Sequence, residues 1–441
     1  MVAPTRSLGA RPGVGDDLSH RARAQRICRN CNAWLQLSLC SLVLWVCLPT
    51  EAVAEDWSQF LGPARDGTYA GPALLRQWPR EGPTKLWSVT TGGGFSGPVS
   101  SADRVILFHR MGDVERVECL SLTNGKSLWK ADHPTQYRDD FGFDNGPRAT
   151  PAIGGGRVFV MGAEGTVRGL NLSSGEQLWV VRTKDNFRAP KGFFGMACSP
   201  LLIGNRVILA IGGQDGSGII ALNAQTGAVI WKSLNDEASY ASPTLARDGQ
   251  KEWVVLLGRS GLTTLDVVTG EVSDTFPWRS RSHASVNAAT PLVRAGEIFI
   301  SASYETGAAL VRLSHGKLSK KWSADGVLSN HYATSVERGG FLYGFDGRQE
   351  ESPTLACVEW RTGQVRWRKS GLGAGTLIQA GDALLISNER GDLIEARATP
   401  EAFVENRRAQ ILPTGVRAHV ALSSGLLIAR GRDRLVCLDL R

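Results

Sequence analysis

Four segments of seven residues, each ending in tryptophan, are written with nearly the same letters. They are TNGKSLW at 123–129, SSGEQLW at 173–179, QTGAVIW at 225–231 and RTGQVRW at 361–367. Trp87, Trp129, Trp179 and Trp231 follow one another at intervals of 42, 50 and 52 residues. A repeat of this length indicates an array of similar supersecondary units rather than a set of unrelated elements.

Each copy closes a longer unit. The unit begins with a small residue, Ser or Thr and often Pro, as in ATPAI at 149–153. Alternating apolar runs follow, such as RVFVMG at 157–162 and VRGLNL at 167–172. Alternation with a period of two, bounded by Gly, Asn and Asp, is typical of β-strands. Four such strands in each unit predict the blades of a β-propeller.

The number of units predicts how the ring closes. Eight units begin near Gly97, Ala149, Cys198, Ala241, Ala289, Ala333, Gly375 and Ala418. The last unit, 419–441, stops after three strands, whereas TKLWSV at 84–89 is a Trp strand without preceding strands. We therefore predict an all-β fold, an eight-bladed propeller of four-stranded antiparallel blades. Pairing of 84–89 with the C-terminal blade would leave no half-blade exposed.

The repeated glycine and tryptophan have a structural interpretation. Thr-Gly or Asn-Gly between strands supplies the positive φ of a tight hairpin. The tryptophan four residues later falls on the outer strand, where its ring can cover a neighbouring blade. The fourth unit has Asp274 at the tryptophan position, and the fifth is two residues longer at 313–322.

Cysteine usage follows the same repeat. Cys119, Cys357 and Cys437 occupy a position that holds Gly169 and Ala221 in other units, so the position requires a small buried residue. Equivalent positions in different blades should lie beyond the Cα distance of about 7 Å that a disulfide spans. We expect buried free thiols.

The N-terminus is typical of an export signal. Basic residues precede an apolar run at 33–49, and Ala-Val-Ala at 52–54 fits a cleavage site. An uncleaved membrane anchor is the alternative. We predict a signal at 1–54, a lead-in segment at 55–83 and the propeller at 84–441, with location in the periplasm or cell envelope.

The charge balance excludes one class of partner. The formal net charge is +8 over 441 residues, and Lys and Arg form no dense stripe interleaved with aromatic residues. Nucleic acid is therefore not expected as a partner.

The candidate site lies on loops that join one blade to the next. These loops combine carboxylates, cations, amides, imidazoles and aromatic side chains on one face, which is how concave polar sites arise. The candidate residues for a ligand or partner are Arg138, Asp140, Asp144, Asn145, Arg148, Lys184, Arg188, Arg281, His283, Asn287, Asn330 and His331. The alternative is that long loops are polar because they are solvated. No spacing among these residues matches a catalytic or metal-ligand set, so neither is assigned.

The repeat A-[ST]-P…L-[ND]-x-x-T-G-x-x-x-W resembles the pyrrolo-quinoline quinone (PQQ) repeat. The chain is similar to exported PQQ-like propellers of the quinoprotein alcohol dehydrogenase-like superfamily, which includes BamB. DWSQFLGPARDG at 56–67, SHASVNAATP at 282–291 and SNHYATSV at 329–336 resemble a bacterial branch of PQQ-like repeat proteins. The resemblance covers nearly all of 56–441 and implies eight blades.

The resemblance does not by itself imply a quinone. Quinoprotein dehydrogenases hold PQQ over Ca²⁺ and pack a disulfide of two adjacent cysteines on the quinone, and this chain has no adjacent cysteines. Asp140, Asp144 and the loop asparagines are hard enough ligands for Ca²⁺. The last unit, with RAHVAL at 417–422, departs from the pattern of the branch.

Three functions remain open at this point. The first is a non-catalytic, monomeric scaffold that binds another envelope protein or polymer, as BamB-like proteins do, with membrane contact only through an uncleaved signal. The second is a PQQ- and Ca²⁺-dependent oxidoreductase acting on alcohols or sugars. The third is a ligand-binding sensor that acts beside a separate enzyme.

Overall fold

Eight β-sheets stand around a central channel, and each has its first strand on the channel and its last strand outside. The computed structural model describes residues 56–74, 78–79, 81–279, 282 and 287–441. Seven sheets have four strands, and the seventh blade has a fifth. The predicted eight-bladed, antiparallel all-β fold is confirmed.

From the channel outward, the strands of blades 1 to 4 have the following bounds. They are Val99–Ser101, Arg104–Met111, Val114–Ser121 and Ser127–Pro134; Ala152–Gly154, Arg157–Met161, Thr166–Asn171 and Gln177–Arg182; Leu201–Ile203, Arg206–Ala210, Ile219–Asn223 and Val229–Ser233; and Thr244–Asp248, Lys251–Leu257, Gly261–Asp266 and Val272–Pro277.

Blades 5 to 8 follow in the same order. Their strands are Leu292–Arg294, Glu297–Ala302, Gly307–Ser314 and Lys317–Ala324; Val336–Arg338, Phe341–Asp346, Thr354–Glu359 and Val365–Lys369; Gly375–Ala380, Ala383–Asn388, Asp392–Arg397 and Val404–Gln410; and Ala421–Ser423, Leu426–Arg430, Arg434–Asp439 and Thr84–Thr90. A short helix, Thr183–Phe187, and a 3₁₀ turn, Gln349–Glu351, lie in loops.

Blade 8 is built from both ends of the described chain. Thr84–Thr90 pairs antiparallel with Arg434–Asp439, and Trp87 lies opposite Cys437. The predicted closure is therefore confirmed. The paired outer strand removes an edge that would otherwise expose unpaired backbone groups.

The repeated glycine and tryptophan join one blade to the next at five of the eight junctions. The indole N–H of Trp179 donates to the Ala224 carbonyl oxygen of the following blade at 3.1 Å. A Cβ atom on Gly227 of that blade would lie 2.8 Å from the Trp179 ring, and Gly227 has a φ of +72°. Only glycine accommodates both the conformation and the ring. The same glycine–tryptophan contact recurs at Gly125–Trp87, Gly175–Trp129, Gly270–Trp231 and Gly363–Trp322.

Blades 4 and 5 replace this clamp where the motif departs. Asp274 accepts a hydrogen bond of 2.8 Å from the Leu318 backbone N–H of blade 5. The ring that lies against Gly316 comes from Trp253, on the second strand of blade 4. The missing tryptophan is thus compensated by a carboxylate and by an indole from another strand.

A chain of hydroxyl groups links the inner strands. The backbone N–H of Thr150 donates to Ser199 Oγ at 2.9 Å, and Ser199 N–H donates to Ser242 Oγ at 2.9 Å. Thr290 N–H continues the series by donating to Thr334 Oγ1 at 3.0 Å. Each hydroxyl belongs to the residue two positions before an inner strand. The Ser or Thr of the repeat therefore links blades 2 to 6 at the channel.

The segment 56–69 crosses the channel side of the ring. Its backbone carbonyls accept hydrogen bonds from blades 1, 2 and 7, at Trp57 O from Ser100 N–H, Ser58 O from Ile153 N–H and Gly67 O from Gln379 N–H. The buried Arg65 donates to the Pro200 carbonyl oxygen of blade 3 at 2.8 Å. Thr68–Tyr69 then adds to the inner strand of blade 7 as a parallel fifth strand. This role of the lead-in segment was not predicted.

Three further expectations concern the cysteines, a membrane-spanning segment and the N-terminal signal. Cys119, Cys198, Cys357 and Cys437 are free and buried, which confirms the expected thiols. No helix in the described ranges is both long and apolar enough to span a bilayer. The expected signal at 1–54 lies outside the described residues.

Candidate functional site

A cleft of about 370 Å³ opens on the face where the blade-to-blade loops meet. Most blades contribute to its wall, and Phe60 of the segment 56–69 completes it from the channel side. The lining residues are Phe60, Phe95, Asp139, Phe141, Phe143, Arg148, Thr150, Phe194, Ala197, Ser199, Tyr240, Ser242, Ala288, Tyr304, His331, Tyr332, Arg348, Gln349, Glu350, Arg417 and His419. Rings dominate this set, so the cleft is mainly aromatic.

One wall is a cluster of rings from three loops. The Phe194 ring centroid lies 4.9 Å from Phe141, 5.9 Å from Phe143 and 5.9 Å from Tyr240. Tyr240 Oη also accepts a hydrogen bond from the Phe194 backbone N–H at 2.8 Å. Offset and edge contacts of this kind stabilise ring clusters beyond simple burial. Phe141 and Phe143 nevertheless remain 54% and 47% exposed, at the mouth of the cleft.

Asp139 organises the loop that carries these rings. Its carboxylate is fully buried and accepts backbone hydrogen bonds from Phe141, Phe143 and Asp144. The Arg148 guanidinium lies 3.5 Å from the same carboxylate and 4.9 Å from the Tyr137 ring centroid. The charge of Asp139 is therefore used to shape the loop.

Arg417 has a different environment. Its guanidinium lies 5.4 Å from the Phe95 ring centroid and 5.6 Å from that of Phe143. Among the described residues, no carboxylate lies within ion-pair distance of it, whereas Arg348 pairs with Glu350 at 3.4 Å. Arg417 therefore gives the cleft a positive charge that lies over aromatic faces and is not paired with a carboxylate of the described residues.

Five buried polar side-chain atoms of the lining residues lack a hydrogen-bond partner among the described residues. Three are ring atoms, His331 Nδ1, Tyr332 Oη and His419 Nε2, and two are the Nε atoms of Arg148 and Arg348. Burial lowers the pKa of His331 and lowers that of His419 to about 4, so both rings are neutral at pH 7. Burial also raises the pKa of Tyr332. The cleft thus contains neutral hydrogen-bonding groups that a ligand can satisfy.

His419 occupies the position that carries Ser or Thr in the sister blades. It stands two residues before the inner strand of blade 8, as Ser199 and Thr334 do in blades 3 and 6. Its ring lies 4.8 Å from the Phe60 ring in an edge-to-face contact. The departure of RAHVAL from the repeat therefore places an imidazole in the cleft.

Two of the candidate residues from the sequence, Arg148 and His331, line the cleft. Four others lie on the same loop as Arg148 but in local contacts. Asn145 accepts the Asp139 N–H at 2.8 Å, Asp144 accepts the Gly146 N–H at 2.6 Å, Arg138 pairs with Asp113 at 3.1 Å and Asp140 pairs with Lys191 at 2.7 Å.

The other candidates lie away from the cleft or beneath it. Lys184 is exposed on the short helix, and Arg188 after it pairs with Asp215. Asn287 and Asn330 are buried, and their amide groups donate to the carbonyl oxygens of Gly258 and Phe345. Arg281 and His283 lie outside the described residues.

Sequence reasoning expected aromatic residues of these loops on the same face but selected none of them as candidates. It missed Phe60, Arg417 and His419. Two signals were available: the lead-in phenylalanine in SQFLGP at 58–63 and the histidine at the hydroxyl position of the last repeat. Neither could be placed in the cleft without the contacts across the channel.

The donor set does not fit the PQQ and Ca²⁺ pair that quinoprotein dehydrogenases hold. Calcium takes six to eight oxygen ligands in proteins. No group of three or more His, Cys, Asp or Glu side chains in the described ranges is arranged to hold a metal ion. Asp139 is saturated by backbone N–H groups and Arg148, and Glu350 is paired with Arg348. We derive no reaction step through this cofactor.

Comparison with known proteins identifies the family of the chain and shows which proteins share its fold. The family model for the outer membrane protein assembly factor BamB matches residues 79–188 and 113–369. The BamB of Burkholderia pseudomallei (strain K96243) is 30% identical over 199 residues, which are 42% of this chain. The match spans only 44% of that relative's length.

Two crystal structures have the same fold. BamB from Moraxella catarrhalis superposes with a TM-score of 0.60 at 16% identity, over 81% of this chain and 98% of that one. The quinohemoprotein alcohol dehydrogenase from Comamonas testosteroni has a TM-score of 0.62 at 13% identity, over 87% and 80%. At these sequence identities the two superpositions show only that the propeller fold is shared. The family model, in contrast, covers more than half of the sequence, and the chain therefore belongs to the outer membrane protein assembly factor BamB family.

Proposed function

We propose that the protein is an exported, non-catalytic propeller that binds another protein of the cell envelope through the mouth of the cleft. The observation that carries this proposal is the pair of half-exposed rings there, Phe141 and Phe143, at 54% and 47%. Phe193, 46% exposed, is the sequence neighbour of the lining residue Phe194. Grouped exposed rings are typical of protein-binding surfaces. Membership of a family named for outer-membrane protein assembly supports the envelope as the location.

The ionisable groups of the cleft favour binding over catalysis. A general acid or base works best when its pKa lies near the working pH and when it can reach the reacting atom. Burial holds the pKa of His419 at about 4, and the carboxylates of Asp139 and Glu350 are already paired. These groups are suited to recognition and to holding loops in place.

Photocrosslinking from the mouth tests the proposal. A photoreactive amino acid replaces Phe141 or Phe193 in cells, and mass spectrometry identifies the captured proteins. Val268, 62% exposed on a hairpin of the opposite face, is the control position. We expect one envelope protein to be captured from both mouth positions but not from Val268. Identical capture from all three positions would contradict the proposal.

The competing function is a PQQ-dependent oxidoreductase. Purified protein is incubated with PQQ and Ca²⁺, and thermal midpoint and dye reduction with alcohols or sugars are measured. We expect neither a shift in the midpoint nor substrate-dependent reduction. Saturable PQQ binding together with dye reduction would replace the scaffold by an enzyme.

Export, domain organisation and oligomeric state belong to the same proposal. We propose that 1–54 is a signal, that 55–83 leads into the ring and that 84–441 forms the blades of a monomer. N-terminal sequencing of protein from the periplasmic fraction should begin near residue 55, and light scattering should give the mass of one chain. Retention in the cytoplasm would overturn the envelope location.

A further inference from the structure

We infer that the cleft holds a tryptophan or tyrosine side chain of a partner peptide, with a neighbouring carboxylate of that peptide on Arg417. This inference rests on the proposed function and names the chemistry that the partner segment must carry. Three features of the cleft support it: the aromatic walls, one cation that is not paired with a carboxylate of the described residues, and one buried acceptor atom without a partner.

The charge requirement comes from Arg417. Of the three arginines in the cleft, Arg148 lies against the Asp139 carboxylate and Arg348 against that of Glu350. The Arg417 guanidinium lies over the faces of Phe95 and Phe143, and no carboxylate of the described residues is within ion-pair distance of it. A guanidinium between phenyl rings has lost water but keeps its donors. An incoming carboxylate would supply the missing acceptors in a partly dry site, where such pairs are strong.

The aromatic requirement comes from the walls and the volume. A cavity of about 370 Å³ lies at the low end of the range of about 300–1,000 Å³ for ligand sites. It is large enough for one ring and a short adjoining group but not for a folded domain. Phe60, Phe95, Phe143 and Phe194 offer faces and edges on several sides.

The choice of tryptophan or tyrosine over phenylalanine comes from His419. Its ring hydrogen-bonds with the Tyr332 backbone, while Nε2 is buried and has no partner. In a neutral imidazole that donates through one nitrogen, the other nitrogen is an acceptor. An indole N–H or a phenol O–H would satisfy it, and leaving such a buried atom unpaired is unfavourable. Phenylalanine has no group to donate.

A peptide is favoured over a free aromatic acid because the apolar surface continues beyond the cleft. Phe141, Phe143 and Phe193 are about half exposed at the mouth, and Arg259 lies 5.7 Å from the Phe193 ring. A molecule small enough to lie inside the cleft would leave this surface uncovered. A chain with its aromatic anchor in the cleft would cross these rings.

Calorimetry with capped tetrapeptides tests the inference on the purified protein. The probes are Gly-Trp-Asp-Gly, Gly-Trp-Asn-Gly and Gly-Phe-Asp-Gly, together with free indole-3-acetate. We expect the Trp-Asp peptide to bind at least about tenfold more tightly than each of the other three probes. Equal affinity for indole-3-acetate would replace the peptide by a small aromatic acid, and absence of saturable Trp-Asp binding would overturn the inference.

Variants assign the binding to the named groups. Arg417→Met should lower the affinity for the Trp-Asp peptide about tenfold, so that the Trp-Asp and Trp-Asn peptides bind equally tightly. His419→Gln should reduce the difference in affinity between the Trp-Asp and Phe-Asp peptides. Arg366→Met is the matched control, because Arg366 also lies over a phenyl ring, that of Phe341, but on an outer strand. Near-ultraviolet circular dichroism checks the fold. Unchanged affinity and selectivity in Arg417→Met would overturn the inference.

The two proposals fail in different ways. The photocrosslinking from Phe141 is repeated in cells that carry Arg417→Met. Loss of the captured protein supports the inference. Continued capture, together with no peptide binding, overturns the inference but leaves the scaffold function standing.

Discussion

Arg430 donates a hydrogen bond of 2.7 Å from Nη1 to the Ser96 carbonyl oxygen, across the closure between blade 8 and blade 1. The same guanidinium reaches the carbonyl oxygens of Phe108, Gly92 and Gly93. Arg430 is 1% exposed, and burial lowers its pKa to about 10, so it remains charged at neutral pH. One buried cation thus holds together segments that are far apart in sequence.

Arg430→Met should destabilise the closure. The substitution removes the four hydrogen bonds of the guanidinium, although Gly93 O keeps the Arg110 N–H as a donor. Each buried carbonyl oxygen that no other donor or water satisfies costs about 1–3 kcal/mol. We expect the free energy of unfolding in urea to fall by about 3 kcal/mol or more. Arg434→Met, an exposed arginine on the next strand, should change it by less than about 0.5 kcal/mol. Equal losses would show that Arg430 does not hold the closure.

Trp87→Ala should weaken the ring at the same blade. The Trp87 indole is 8% exposed, donates to the Leu122 carbonyl oxygen at 2.8 Å and lies against Gly125. Removing a buried indole costs about 3–5 kcal/mol, which thermal and urea unfolding measure. Leu86→Ala, at a 39% exposed neighbour on the same strand, should cost much less. Comparable effects would mean that the outer strand is not clamped by the indole.

Gly227→Ala and Gly249→Ala separate the ring contact from backbone strain. Both glycines have positive φ, +72° and +62°, but a Cβ on Gly227 would lie 2.8 Å from Trp179 whereas one on Gly249 meets nothing within 4 Å. Each substitution should cost about 1 kcal/mol for the left-handed conformation. Gly227→Ala should cost at least about 1 kcal/mol more, measured by urea unfolding. Equal losses would leave the Trp179 contact without an energetic role.

His419→Thr should make the free energy of unfolding less dependent on pH between 7.5 and 4.5. The folded-state pKa is about 4 against 6.5 in the unfolded chain, so between these values the unfolded state binds more protons. The contribution of His419 is complete above pH 6.5 and is lost as the pH falls towards 4, by at most about 3 kcal/mol. Urea unfolding between pH 7.5 and 4.5 should show a shallower decline in the variant. Equal slopes of the free energy of unfolding against pH in the variant and the original protein would contradict this expectation.

The ring could be predicted because its determinants are local and repeated. Gly125 and Trp129, four residues apart, mark a hairpin and an outer strand, and their recurrence gives the number of blades. Asp274 was recognised as an exception, but its hydrogen bond to Leu318 and the substitute ring of Trp253 arise between blades. The path of 56–69 could not be predicted, since its partners are inner strands dispersed over the sequence.

The cleft was harder to predict than the ring. Polarity of loops identified Arg148 and His331, but also Lys184 and Arg188, which lie away from it. Charged residues in long loops are often solvated, so residue type alone does not separate the two groups. Asn287 and Asn330 have polar side chains because buried backbone carbonyls need donors, a requirement visible only in three dimensions.

Ring closure by Thr84–Thr90 and Arg434–Asp439 has a consequence for biosynthesis. Ribosomes deliver Thr84–Thr90 more than 300 residues before Arg434–Asp439, so the nascent product carries an open β-edge until the second strand emerges. Such edges invite aggregation, and the pairing that removes them is strongly non-local. We therefore expect the pairing of these two strands to be the last step of folding. Chaperones that bind strand edges would act before this step.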